Sequence, residues 1–189
     1  ARLEFSCDTL AFDTIVSTVP SATRTLTVFN RNKKGVRIAS VSLAAGSSSH
    51  FRVNVDGEWL ADGAGEDFKI YRKDTMIVRV EVTVPQVEST QVGTINDVLR
   101  FVMESGNVHE VVLQASAIDA YMVHGMVIDH DSTLLTDKPY LIYDSLYVAP
   151  GAQLSLLPGT RLMFHDDAAM HIHGSVHAEG TLEQPIIFR

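Results

Sequence analysis

The sequence predicts an all-β chain of two unlike parts, an Ig-like β-sandwich over residues 1–118 and the first coils of a parallel β-helix over residues 119–189. Two observations predict it. Through the first part, apolar residues alternate with polar ones at a period of two, the pattern of half-buried strands. In the second part, apolar and turn residues recur every eight positions from Leu146 onward, a spacing that means short strands joined by sharp turns.

Composition supports a folded chain and narrows its class. Hydrophobic residues make up 46% and charged residues 20% of the 189, enough for a packed core. There are 23 acidic against 15 basic side chains, and no basic run of five. A surface that tracks nucleic-acid phosphates is therefore excluded. The longest apolar stretches, such as Met76–Val84, are interrupted by charge, and none approaches the ~20 residues of a membrane span. Cys7 is the sole cysteine, so no disulfide forms within one chain. It reads as a small buried residue beside the first strand, because Glu4 stands where a lipidation signal needs an apolar residue. Ala1 is preceded by neither Met nor a signal core, which points to a removed targeting segment or a shortened chain.

The strands follow in order. Leu26 and Val28 alternate with Thr25 and Thr27. Val36, Ile38, Val41 and Leu43 form the next run, then Phe51, Val53 and Val55. Met76, Val78, Val80, Val82 and Val84 alternate with Arg79, Glu81 and Thr83. Leu99, Phe101 and Met103 precede Val111, Leu113 and Ala115, with Ser105-Gly106-Asn107 between them as a hairpin connection. Short strands at this spacing, each with one polar face, describe a two-sheet sandwich. The paired cysteines and core Trp of antibody domains are missing, and Trp59 falls in a Gly-rich loop, so the likeness is architectural.

Beyond Asp119 the ladder of eight places Leu146, Leu154, Leu162 and Met170 in one series, with Val148, Leu156, Phe164 and Ile172 in another. Pro150-Gly151 and Pro158-Gly159 fall between them. Three such units, or 24 residues, make one coil of a three-sided helix. Fewer than two complete coils are counted. Because ~3 or more repeats are normally needed for stability, further coils are expected beyond Arg189. If the chain ends there naturally, the open coil end near Phe188 is expected to self-associate with another chain.

Several segments resemble one family. Phe12-Asp13-Thr14-Ile15 with Ser21–Asn32, then Phe51–Gly57, resembles the N-terminal sandwich of surface proteins of Gram-negative gut bacteria. Asp137–Tyr143, Val148–Ala152, Leu157–Thr160 and Ala178–Thr181 with Pro185–Phe188 are similar to the entry of that family's right-handed β-helix. The resemblance implies an exported protein at the cell surface or on the outer membrane, lipid-anchored upstream of this chain. It carries over no catalytic residues.

The best constellation for chemistry is His165, Asp167, His171 and His173, with His177 nearby. If Met170 and Ile172 point inward, His171 and His173 share the outward face, where imidazoles suit zinc or nickel. A solvated polar face is the competing reading. Asp56–Asp67 carries five carboxylates among three glycines, a composition calcium favours, although the order fits no EF-hand and a long solvated hairpin or strand connection, with Trp59 folded back onto the sandwich, is the plainer reading. No nucleophile elbow or phosphate loop is present. No catalytic residue and no cofactor is assigned. The expected function is a non-catalytic surface or interaction module that binds glycan or protein through the β-helix or the sandwich loops. The alternative is the N-terminal part of a polysaccharide-active β-helix enzyme whose site lies beyond Arg189, a reading by fold analogy alone.

Overall fold

The computed structural model describes residues 2–17, 19–21, 23–84 and 93–189. Contacts divide the chain into two compact units, the first closing at Ile118 and the second running from Asp119 to Arg189.

Among the described residues, ten strands build the first unit: β1 (Glu4–Phe5), β2 (Thr9–Val16), β3 (Arg24–Phe29), β4 (Val36–Leu43), β5 (Phe51–Val55), β6 (Glu58–Trp59), β7 (Ala64–Ile70), β8 (Thr75–Val82), β9 (Gly93–Met103) and β10 (Val108–Ile118). One sheet has the order β1-β3-β8-β5-β6 and the other β2-β10-β9-β4-β7. Among the described residues every pairing in this unit is antiparallel except β2 with β10, which is parallel. The series β1-β3-β8-β5 against β10-β9-β4 reproduces the two-sheet order of an Ig-like sandwich. The alternating residues read from the sequence meet in its centre. Leu26, Val28, Val53, Val78 and Val80 from one sheet face Ile38, Val41, Leu99, Phe101 and Leu113 from the other, all buried. Each such side chain contributes roughly 1.5–3 kcal/mol by leaving water.

One local feature departs from the sequence reading. Residues 56–67 hold the hairpin connection that the sequence suggests, but as two tight turns around a short strand. Asp56 and Gly57 both have positive φ and turn β5 into β6 as a two-residue hairpin. Asp62 and Gly63 repeat the device under an Ala61–Ala64 bridge, and the chain then enters β7. Trp59 accordingly lies on a strand rather than in a loop.

The second unit is a parallel solenoid. Its strands are β11 (Tyr121–Val123), β12 (Met126–Ile128), β13 (Ser132–Thr133), β14 (Tyr140–Ile142), β15 (Ser145–Val148), β16 (Gln153–Leu156), β17 (Arg161–Phe164), β18 (Ala169–Ile172), β19 (Ser175–Ala178) and β20 (Ile187–Phe188). They form three parallel sheets, β11-β14-β17-β20, β12-β15-β18 and β13-β16-β19. Three coils are therefore complete and a fourth begins, which corrects the expectation of fewer than two. The first coil leaves little trace in the sequence because its strands are only two or three residues long and lack the Pro-Gly turns of the second. The ladder of eight has a simple basis. Each step carries the chain to the next face, so Leu146 pairs with Met170 three steps later. Ile142, Leu146, Val148, Leu154 and Leu162 fill the interior at 0% exposure. Among the described residues, no helix is long and apolar enough to cross a membrane.

Candidate functional site

The outer surface of the solenoid concentrates the ring side chains of the second unit. Six of the chain's eight histidines lie between residues 119 and 189. Over the same span nine carboxylates stand against three cationic side chains, Lys138, Arg161 and Arg189. Parallel register decides how these groups meet. Val123, Ile142 and Phe164 are partners in one sheet, so the residues after them, His124, Tyr143 and His165, fall in a column. The His124 and Tyr143 rings stack with centroids 4.8 Å apart and planes 8° from parallel. Tyr143 and His165 repeat the 4.8 Å separation at 34°. That spacing is the rise between neighbouring strands. Asp144 lies 3.9 Å from His124 Nδ1, and Asp166 lies 3.3 Å from His165 Nδ1.

A second column stands beside the first. Val127, Tyr147 and His171 are in register on β12, β15 and β18 and alternate with the buried Leu146 and Val148. His173 leans back so that its ring centroid is 5.1 Å from that of Tyr147. On the third face, Thr133, Ser155 and His177 are likewise in register, with Glu179 3.9 Å from His177 Nε2.

The residues singled out for a metal are thus distributed rather than gathered. His165 turns to Tyr143 and Asp166, His173 turns to Tyr147, His171 sits above Tyr147 in register, and Asp167 is exposed in the turn after β17. Among the described residues, no three His, Cys, Asp or Glu side chains converge in a way that could hold a metal ion. Sequence reasoning missed His124, Tyr143 and Tyr147. Their signal was register between residues a coil apart, which the ladder of eight does not display on the outward positions.

What the columns can do follows from their stacking. Tyr143 is covered by a ring on each side, His124 and His165, so it meets solvent by its edge, with imidazole nitrogens and phenol hydroxyls among carboxylates around it. Such a strip offers both donors and acceptors on a frame whose inward side is packed.

Another cluster on the first coil is already closed. Lys138 Nζ donates to Asp119 Oδ2 at 2.6 Å, and this bond holds the ammonium pKa above its usual value. Tyr121 donates its hydroxyl to Asp137 at 2.9 Å, which raises the phenol pKa. These pairs tie the loop before β14 to the first coil.

No family model matches the chain, and no curated protein matches it. Solved structures with a similar course include a family 123 glycoside hydrolase from Clostridium perfringens, at 7% identity and a TM-score of 0.45, with 66% of this chain and 26% of that one covered. A protein of unknown function from Porphyromonas gingivalis W83 aligns at 17% identity and a TM-score of 0.42 over 70% of this chain and 59% of that one. The periplasmic chaperone SfaE aligns at 11% identity and 0.39 over 60% and 57%. The chain spans less than two thirds of the length of each. At these scores the likeness bears on no function.

Proposed function

We propose that this chain is a non-catalytic interaction module of an exported, cell-surface protein, in which the solenoid presents its outer His/Tyr columns to a glycan and the sandwich serves as a spacer with loops of its own. The observation that supports this reading is the His124–Tyr143–His165 stack beside Tyr147 and His173. Ring edges at strand spacing, bracketed by carboxylates, match a ligand that carries hydroxyls along its length. The excess of acid over base across residues 119–189 disfavours acidic polymers and selects neutral ones.

Glycan-microarray binding of the whole chain tests the reading. Neutral oligosaccharides are expected to bind, and Tyr143→Ala and Tyr147→Ala are each expected to weaken binding by about tenfold, the scale of losing an anchoring ring. Unchanged binding in both variants would overturn it.

A further inference from the structure

We propose that one end of the sandwich docks onto an anionic, phosphate-bearing membrane surface, as a peripheral contact made by two cationic loops. This inference rests on the first unit alone and does not depend on the glycan reading of the solenoid.

Charge is segregated in this chain. Residues 31–35, between β3 and β4, and residues 69–73, at the end of β7 and in the turn after it, contain Arg31, Lys33, Lys34, Lys69, Arg72 and Lys73 and no carboxylate. They are six of the chain's 15 basic side chains; the nine that remain share the rest of the chain with all 23 acidic ones. A molecule of net charge −8 therefore keeps one cationic end. Screening makes that end act by itself, because charges farther away than a Debye length of about 8 Å are muted at physiological ionic strength.

Tertiary contacts join the two segments. The Asn30 Nδ2 lies 2.9–3.1 Å from the carbonyls of Lys34, Ile70 and Tyr71. Lys73 Nζ donates to the Arg31 carbonyl at 2.7 Å. Asn32 Nδ2 donates to the Arg2 carbonyl at 2.8 Å, which adds the exposed Arg2 to the same end. All six cations of the loops are exposed. Of the bordering carboxylates, Glu4 is held by Arg31 and Asp67 by Arg37, and Asp74 accepts from the Thr75 N–H. Glu104 stands on the adjoining β9–β10 hairpin. Among the described residues, the side chains of Lys33, Lys34 and Arg72 have no partner within the chain.

The form of the patch selects a surface over a strand or a protein. Four of the six cations are lysines, compact charges on flexible stems that suit mobile headgroup phosphates and do not need the fixed fork geometry of arginine. Tyr71 stands among them at 61% exposure, with Lys69 Nζ 4.6 Å from its ring centroid. An amphipathic ring beside cations is the composition of a membrane interface. A nucleic-acid strand is tracked by a cationic groove, whereas the hollow beside these loops is lined by Glu4 and Asp8 as well as Arg2 and Arg31. A protein partner needs an apolar centre depleted in charge, and Tyr71 is the sole large apolar side chain exposed on the two segments.

The full chain is mixed with vesicles of phosphatidylcholine containing phosphatidylglycerol, and with vesicles of phosphatidylcholine alone. Cosedimentation at low and high salt measures the bound fraction. Binding is expected with the anionic vesicles only, and it is expected to disappear at high salt. Each cation near an anionic surface is worth about fivefold in partitioning, so Lys33→Gln combined with Arg72→Gln is expected to weaken binding ~25-fold. Neither side chain makes a contact that the fold requires, and circular dichroism checks that the variant is folded. Arg52→Gln combined with Arg79→Gln removes the same net charge from strands β5 and β8 and is expected to leave binding within about twofold of wild type. Equal binding to both kinds of vesicle, no cosedimentation with either, or equal losses in the two variants would overturn the proposal. Capture by heparin or duplex DNA without vesicle binding would overturn it too, in favour of a soluble polyanion.

Discussion

Gly174 lies against the backbone of Ala152, one coil earlier, so closely that a Cβ at 174 would overlap the Ala152 and Ala149 carbonyl oxygens. The same two turns are joined by the Gly174 N–H donating to Val148 at 3.1 Å and the Ser175 N–H donating to Ala152 at 3.0 Å. Backbone oxygens held in a parallel ladder cannot move aside as a side-chain tip can. Gly174→Ala is therefore expected to force the third coil away from the second, at a cost of about 1–3 kcal/mol or more. Urea denaturation followed by far-UV circular dichroism checks it, and an unshifted midpoint would contradict the contact.

The inward and outward sides of β15 make a sharper comparison. Leu146 is wholly buried between its register partners Met126 and Met170. The next residue, Tyr147, faces outward between Val127 and His171. Leu146→Ala removes apolar volume that neighbouring coils cannot refill, and it is expected to cost about 2–5 kcal/mol. Tyr147→Ala is expected to fall within about 1 kcal/mol of wild type, since surface changes are usually small. Equal losses in the two variants would mean that the inward and outward assignment is wrong.

Asn30 organises the end of β3. It is 1% exposed. Its Nδ2 lies 2.9–3.1 Å from the carbonyls of Lys34, Ile70 and Tyr71, while its Oδ1 accepts from the Asn32 backbone and side chain. Asn30→Ala leaves several buried groups without partners, each worth roughly 1–3 kcal/mol. Asn30→Asp keeps the shape but replaces the donor with acceptors that face carbonyls. Both are expected to lower the melting temperature by several degrees, with the Asp variant no better than Ala despite its closer shape. Thermal denaturation of the two variants provides the measurement.

How much of this was legible in the sequence depends on which residues carried the pattern. The runs of β8 and β5 could be read directly, because Val78 and Val80, or Val53 and Val55, alternate without interruption. In β4 the apolar series Val36, Ile38, Val41, Leu43 breaks phase. A register shift against β9 between Ile38 and Ser40 absorbs the extra residue and keeps all four buried. β7 could not be read at all. It is a sheet edge whose Glu66, Asp67 and Lys69 are exposed, so no apolar alternation marks it, and such charge suits an edge that must not pair with another chain. The Asp-Gly pairs of residues 56–63 resembled a calcium loop in composition. Their positive φ values show that their geometry serves tight turns instead. The ring columns of the solenoid were invisible for a different reason: stacking between His124, Tyr143 and His165 is set by which coil sits on which, and that is tertiary information.

His109 supplies a pH dependence whose sign can be worked out. Its imidazole on β10 stacks on the Phe5 ring of β1, with centroids 3.6 Å apart and planes at 8°. It thus joins the two-residue edge strand to the opposite sheet. Burial lowers its pKa below the usual histidine value; the Asp8 carboxylate, 3.5 Å from Nε2, opposes that shift, and Arg2 adds to it. The unfolded chain therefore binds more protons at this position than the folded chain does between the lowered value and the ordinary ~6.5. The stabilising contribution is fully present above that ordinary value and is lost as pH falls toward the folded one. Acidification is expected to loosen β1, because the partly buried His109 ring is less well solvated when charged in the folded chain than in the unfolded one. Urea midpoints of wild type and His109→Gln, compared at intervals from neutral to mildly acidic pH, isolate this group from the other histidines. The wild-type midpoint is expected to fall more steeply than that of the variant. Parallel pH profiles would show that the Phe5–His109 contact does not couple protonation to folding.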